Sequence, residues 1–173
     1  MSKKIDAGIN KAWDEKKKTY CGYFINEVAS YKTGDGHFIK PTEFKQIKMP
    51  LFLEAQMHAL RLADNQENAR KIHSGTKNSA LFDQKLKMYK VTASLENMPE
   101  DIGRCRIFTP GWLENESIWL HMEYKYILEL LKAGLYEEFY ADFKNVLIPF
   151  QKPEIYGRSI LENSSFLVSS VFP

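Results

Sequence analysis

The chain has little of what marks several common classes of protein. Its 173 residues contain two cysteines, Cys21 and Cys105, too few for a disulfide framework and without the spacing of a metal finger. It lacks an excess of one charge, since 24 Lys and Arg stand against 22 Asp and Glu, interleaved along the chain. Nucleic-acid binding needs gathered cations, so no nucleic-acid partner is expected. No apolar run approaches the roughly 20 residues that cross a bilayer, so no membrane partner is expected either. The opening MSKKIDAGINKAWDEKKK has no apolar signal core, which makes cytoplasmic the expected compartment. A Gly-rich phosphate loop and a G-x-S-x-G elbow are both missing. His37, His58 and His73 show no ligand pairing, so neither a metal nor a resident cofactor is expected.

What is present is a globular balance of 44% hydrophobic and 27% charged residues, long enough for one domain with a real core. Residues 3–18 read as a short helix or an irregular lead-in. TYCGYFINEVASYK (19–32), TGDG (33–36) and HFIKPTEFKQIK (37–48) predict a β-hairpin excursion, with Pro41 demoting its second arm to an edge. From Pro50 the period lengthens. PLFLEAQMHALRLAD predicts a helix opened by its proline, and NQENARKIHSGTKNS a second, more exposed helix ending near Gly75. Residues 81–110 are ambiguous. Three helices are expected over about 116–133, 135–148 and 158–171, with Gly134 and Pro149 as stops. The fold class is therefore mainly α, helical hairpins in one domain with a β-hairpin near 19–48.

The densest stretch is GWLENESIWLHMEYKY, residues 111–126. Asn115 or Ser117 can cap a helix there, and Glu114 and Glu116 suit its positive end. Apolar residues from Ile118 to Leu131 cover most of the circumference, leaving His121, Lys125, Glu129 and Lys132 as a narrow polar stripe. A helix so apolar is buried, and its stripe must meet solvent through a gap, an ion-pair network or a polar cavity. Glu114 and His121 lie seven apart; on one helix they would share a face, roughly 10 Å apart at 1.5 Å per residue. That spacing suits the two ends of a small polar ligand, although on spacing alone a core helix with a solvated edge is the favoured reading.

Other residues are read more plainly. Trp13-Asp14 is expected on a surface helix, and Glu137, Glu138 and Asp142 on the wet face of another. Arg104 and Arg106 could bind an anion or be ion-paired surface. The tyrosines and tryptophans near 20–31 and 112–126 could stack on sugar rings or simply fill a core.

WLENESIWLHMEYKYILELLKAGLYEEFYADF, followed by PEIYGRSILENSSFLVSS, resembles bacterial glycoside phosphorylases of the cellobiose phosphorylase type and their β-glucan phosphorylase-like relatives. In that family a Glu-Asn-Gly-Gly-x-Phe-x-His segment opens a helix of an (α/α)6 barrel. Here it stands as Glu114-Asn115-Glu116-Ser117-Ile118-Trp119-Leu120-His121. The resemblance implies a partial (α/α)6 barrel, with Glu114 binding hydroxyls of the acceptor sugar and His121 helping to bind phosphate. The family's glycine pair is Glu116-Ser117 here, and Leu113 replaces a basic residue found in some members. The resemblance is specific over about 112–171 and weaker over 19–110.

The chemistry it implies is inverting phosphorolysis of β-glucosides or oligosaccharides to a sugar 1-phosphate. An acid protonates the glycosidic oxygen while inorganic phosphate, the co-substrate, replaces the water of an inverting hydrolase. A histidine suits the hydrogen-bonding cradle that phosphate needs. The family's Asp-Trp-Asn-Asp-like acid motif has no counterpart here, nor does its Ser/Thr-Gly-rich phosphate loop. The expectation is a slice of a larger barrel, inactive alone, exposing apolar surface that self-association or the rest of an enzyme would cover. The alternative is a non-catalytic helical domain that binds carbohydrate or protein.

Overall fold

The computed structural model describes residues 2–36, 38–156 and 166–173. Helix α1, Ser2–Ala12, leads into a small antiparallel pair, β1 (Trp13–Asp14) and β2 (Thr19–Tyr20). Trp13 and Asp14 therefore lie on a strand rather than on the expected surface helix. The Lys17-Lys18 turn between the strands rests against the helix that carries Gly75, where a Cβ would collide with both lysine carbonyls. Glycine is costly inside a helix, and this close approach accounts for one here.

The predicted hairpin is present as β3 (Phe24–Thr33) and β4 (Ile39–Lys48), antiparallel, with Tyr31 opposite Pro41 and register shifts on either side of Ser30. His37 lies outside the described residues. Most of the ribbon stands clear of the core. Val28 and Phe44 face each other across it at 45% and 58% exposure, so among the described residues its apolar face is left uncovered. Among the described residues, Phe38, Ile39 and Tyr31 add further exposed apolar area.

The core lies among four longer helices, α2 (Leu53–Arg61), α3 (Gln66–Lys77), α5 (Leu120–Lys132) and α6 (Tyr136–Val146). α2 starts later than Pro50 suggests. Residues 51–53 are instead held in extended pairing with 91–93, through Leu53 N–H to Val91 O and Ala93 N–H to Leu51 O. Asn65 caps α3, its side chain accepting from Asn68 N–H, and α3 continues past Gly75 to Lys77. α2–α3 and α5–α6 form the two helical hairpins. Their inward stripes include Leu53, Met57, Leu60, Ala69, Ile72, Leu120, Ile127, Leu130, Phe139 and Val146.

The ambiguous 81–110 stretch resolves into a two-residue pair, β5 (Phe82–Asp83) with β6 (Met88–Tyr89), a 3-10 turn at Glu100–Ile102 and a one-turn helix α4 (Arg104–Ile107). After α6 come a 3-10 turn at Ile148–Phe150 and α7, Pro153–Tyr156. The third helix expected over 158–171 falls partly outside the described residues. Its end is not helical, because β8 (Phe166–Leu167) pairs with β7 (Ile118–Trp119). Buried Asp83 fastens the chain just beyond, accepting from Ser170 N–H at 2.6 Å and Ser170 Oγ at 2.8 Å. Burial alone would raise the Asp83 carboxyl, but these donors, with the N–H groups of Leu86 and Lys85, outweigh it and hold the carboxyl below its ordinary value. No helix among the described residues is long and apolar enough to cross a membrane. The molecule is α-rich with small antiparallel hairpins.

Candidate functional site

Glu114 does not lie on the helix. Ile118 and Trp119 are drawn into β7 by pairing with Phe166 and Leu167, so α5 starts at Leu120 and Trp119 occupies its N-cap. Asn115 and Ser117, the expected caps, brace the preceding loop instead. Asn115 Nδ2 donates to Phe108 O at 2.7 Å, Leu95 N–H donates to Asn115 Oδ1, and Ser117 Oγ donates to Leu113 O. Glu114 and His121 thus do not share a helical face. One is presented by a loop and the other by the first turn of α5.

The loop is tight. Trp112 and Asn115 bridge across it, and Gly111 sits at φ 86°. Leu113 and Glu116 also adopt positive φ, 48° and 60°, a left-handed conformation that costs a non-glycine residue on the order of 1 kcal/mol or more. Glu116 takes a glycine-like backbone without being glycine. A residue persists there only when its surroundings over-determine it. Glu116 supplies a near-buried ion pair with Lys90, Nζ to Oε1 2.7 Å, and its N–H donates to Thr92 Oγ1 at 3.1 Å.

Between these two strained positions Glu114 projects outward, its side chain 38% exposed, with Arg104 Nη2 at 3.1 Å. That guanidinium is itself 79% exposed, and a pair of this kind contributes about 0–1 kcal/mol. Ligand hydroxyls can displace it cheaply. Arg106 donates instead to Met98 O. Neither arginine is gathered with the other around an anion.

Trp119 links the two candidate residues. Its indole N–H donates to Leu113 O at 3.1 Å, next to Glu114, while its ring meets His121 edge-on at 5.7 Å. Phe166 packs against Trp119 at 5.3 Å and against Trp112 at 5.1 Å, and Phe172 lies 5.7 Å from Trp112. Trp112 keeps 36% of its surface exposed. The result is an aromatic wall flanked by a half-exposed carboxylate and an exposed imidazole, suited to a polar ligand with an apolar face. Trp119, one of the aromatics expected either to stack on sugar or to fill the core, thus touches both the residue before Glu114 and the ring of His121; Phe166, which joins it to Trp112, carries no local sequence signal.

The C-terminal part of the polar stripe of α5, Glu129 and Lys132, is ion-paired. Glu129 is nearly buried under Arg61, 2.8 Å, and Lys132, 3.1 Å. Burial would raise its carboxyl, but the two cations prevail and hold it low.

A second polar cluster lies in the core. Asp142, expected on a wet face, is 1% exposed. Its oxygens take Lys77 Nζ at 2.7 Å and the Tyr89 hydroxyl at 2.6 Å, with His73 Nε2 4.0 Å away. His73 Nδ1 and the Tyr126 hydroxyl are 3.0 Å apart. Burial holds the His73 imidazole below its ordinary value, only partly offset by Asp142. Glu123 is fully buried, and Tyr89 N–H donates to one of its oxygens. Burial pushes the Glu123 carboxyl well up, with Asp142 and Asp83 adding repulsion against that one N–H. His73 borders a shallow cavity of about 390 Å³ between α3 and α6, with its Nδ1 engaged by the Tyr126 hydroxyl and its Nε2 4.0 Å from Asp142. This cluster ties α3, α5, α6 and β6 together. Among the described residues, no group of three or more His, Cys, Asp or Glu could hold a metal ion.

No protein-family model and no curated protein matches the chain.

Proposed function

We propose that the wall formed by Glu114, Trp112, Trp119 and His121 is part of the sugar and phosphate site of a glycoside phosphorylase-like protein of the cellobiose phosphorylase type. Glu114 accepts hydrogen bonds from hydroxyls of a β-glucoside or oligosaccharide, and the indoles take its apolar C–H face. His121 donates to inorganic phosphate. The observation that carries this reading is the pair of left-handed residues around Glu114. Backbone strain is retained where a side chain must be presented in one place, and here it presents a carboxylate whose one charged partner among the described residues is loosely held.

The reading assigns no acid. Inverting phosphorolysis needs a carboxylic acid at the glycosidic oxygen, and none accompanies Glu114 and His121 on this wall. The larger (α/α)6 barrel supplies it from outside this chain and covers the exposed ribbon. Phosphorolytic activity is therefore absent from the isolated chain. Calorimetric titration with cellobiose and with inorganic phosphate tests the assignment. Glu114→Ala is expected to abolish the sugar response and spare phosphate, and His121→Ala the reverse. Phosphate release from glucose 1-phosphate with a β-glucoside acceptor should stay at background; clear turnover by this chain alone would contradict the missing acid.

The second reading, a helical carbohydrate-binding or protein-interaction domain without catalysis, draws on the same wall and on the uncovered apolar face of the ribbon. Sugar binding without any phosphate response would favour it.

A further inference from the structure

The loop that carries Glu114 owes its shape to a pair of residues far from it in sequence. Residues 90–92 run extended between the start of α2 and the loop. On one side Val91 O accepts from Leu53 N–H at 3.0 Å; on the other Val91 N–H donates to Ser117 O at 2.7 Å. Thr92, 1% exposed, uses its hydroxyl twice, donating to Glu114 O at 3.2 Å and accepting from Glu116 N–H at 3.1 Å. Lys90 and Glu116 close the arrangement with their 2.7 Å ion pair, the two residues only 6% and 8% exposed.

A buried pair of this kind contributes little net stability compared with an apolar filling, yet it is strongly disruptive to break. Such a pair is suited to fixing one geometry. What Lys90 fixes is the residue at φ 60°, which an unbraced glutamate would leave for the ordinary right-handed or extended regions. Release at Glu116 would also free Thr92 from Glu114 O, and with it the direction in which the carboxylate points.

We infer that Lys90, with Thr92, is a positioning residue for the sugar-binding carboxylate. Its ion pair with Glu116 stands in for the backbone freedom of glycine, holding the loop in its left-handed turn. The carbohydrate part of the claim rests on the proposed function; the brace itself does not.

Two readouts separate them. The first needs no ligand. The Trp119 indole N–H donates to Leu113 O, so its hydrogen exchange reports the loop directly, with the amides of Ile127 and Leu130 in α5 as an internal reference. In Lys90→Met the indole N–H should exchange at least about tenfold faster while the reference amides keep their protection, and Lys90→Arg should restore it. Unchanged indole exchange overturns the brace. So does equal acceleration of indole and reference amides, which would make Lys90 a support of the whole fold. If Lys90→Met does not accumulate folded, Glu116→Gln carries the same comparison.

The second readout is cellobiose affinity in the full chain. Lys90→Met should weaken it about tenfold or more and have no further effect once Glu114→Gln is present, because Lys90 acts through that carboxylate. An equal loss in both backgrounds overturns the positioning role. Absence of cellobiose binding by the unsubstituted chain would defeat the sugar reading while leaving the exchange result to decide the brace.

Discussion

Asp142 and Glu114 are two carboxylates held in opposite ways. Asp142 is 1% exposed, and Lys77 and the hydroxyl of Tyr89 meet its two oxygens at 2.7 and 2.6 Å. Glu114 keeps 38% of its side chain in solvent, beside one guanidinium that is itself mostly free. Around Asp142 the backbone is regular helix; around Glu114 it is twice forced into positive φ. In the first case side chains are arranged to satisfy a charge, and the charge holds the fold. In the second the fold is arranged to present a charge, and the charge is left available. A buried carboxylate whose two oxygens are both engaged is thus the weaker candidate for binding, although more titratable groups surround it.

Breaking the buried side should produce the largest effect. Asp142→Ala leaves the Tyr89 hydroxyl without its acceptor and Lys77 without its anion, and should cost about 3 kcal/mol in chemical denaturation. A loss below about 1 kcal/mol would mean that the cluster does not hold the helices together.

Glu123 sharpens the same contrast by its pH dependence. Its carboxyl is raised in the folded protein because of burial, so the folded state holds a proton that the unfolded chain releases near pH 4.3. Stability from this group is therefore fully present below that pH and falls as pH rises toward the folded value. Glu123→Gln should remove this decline and raise stability by about 1 kcal/mol at pH 8, with little change at pH 4. The same gain at both pH values would show that the proton is not involved.

The smallest stability change is expected at the exposed carboxylate. Glu114→Ala should shift unfolding by no more than about 0.5 kcal/mol, while removing the response to cellobiose. A large destabilisation would place Glu114 with Asp142 as a structural group.

Much of this molecule is legible from local sequence. The ribbon follows from two β-rich runs around TGDG, and α2, α3, α5 and α6 from apolar periods and their stops. The errors come from contacts between distant segments. α5 begins at Leu120 because residues 118–119 pair with 166–167, which no capping pattern in 114–117 could reveal. Asp142 reads in sequence as wet surface beside Glu137 and Glu138, yet Phe139, Asp142 and Val146 share one buried stripe. Glu123 likewise lies in the stripe of Leu120, Ile127 and Leu130. An acidic residue in register with an apolar stripe was the available signal. At 111–117 the residues Glu114 and His121 are legible in the sequence, but the aromatic cluster between them depends on Trp119 reaching back to Leu113 and on Phe166 packing from a distant segment.

The three tryptophans, Trp13, Trp112 and Trp119, allow the central claim to be tested in one titration. Cellobiose is added to the chain in the presence of inorganic phosphate while the indole N–H signals are followed by NMR. If Glu114 and His121 serve one ligand wall, the Trp112 and Trp119 signals move together and saturate, Trp13 stays still, and Glu114→Ala abolishes the response. Still signals at Trp112 and Trp119, or a response that survives Glu114→Ala, would contradict it.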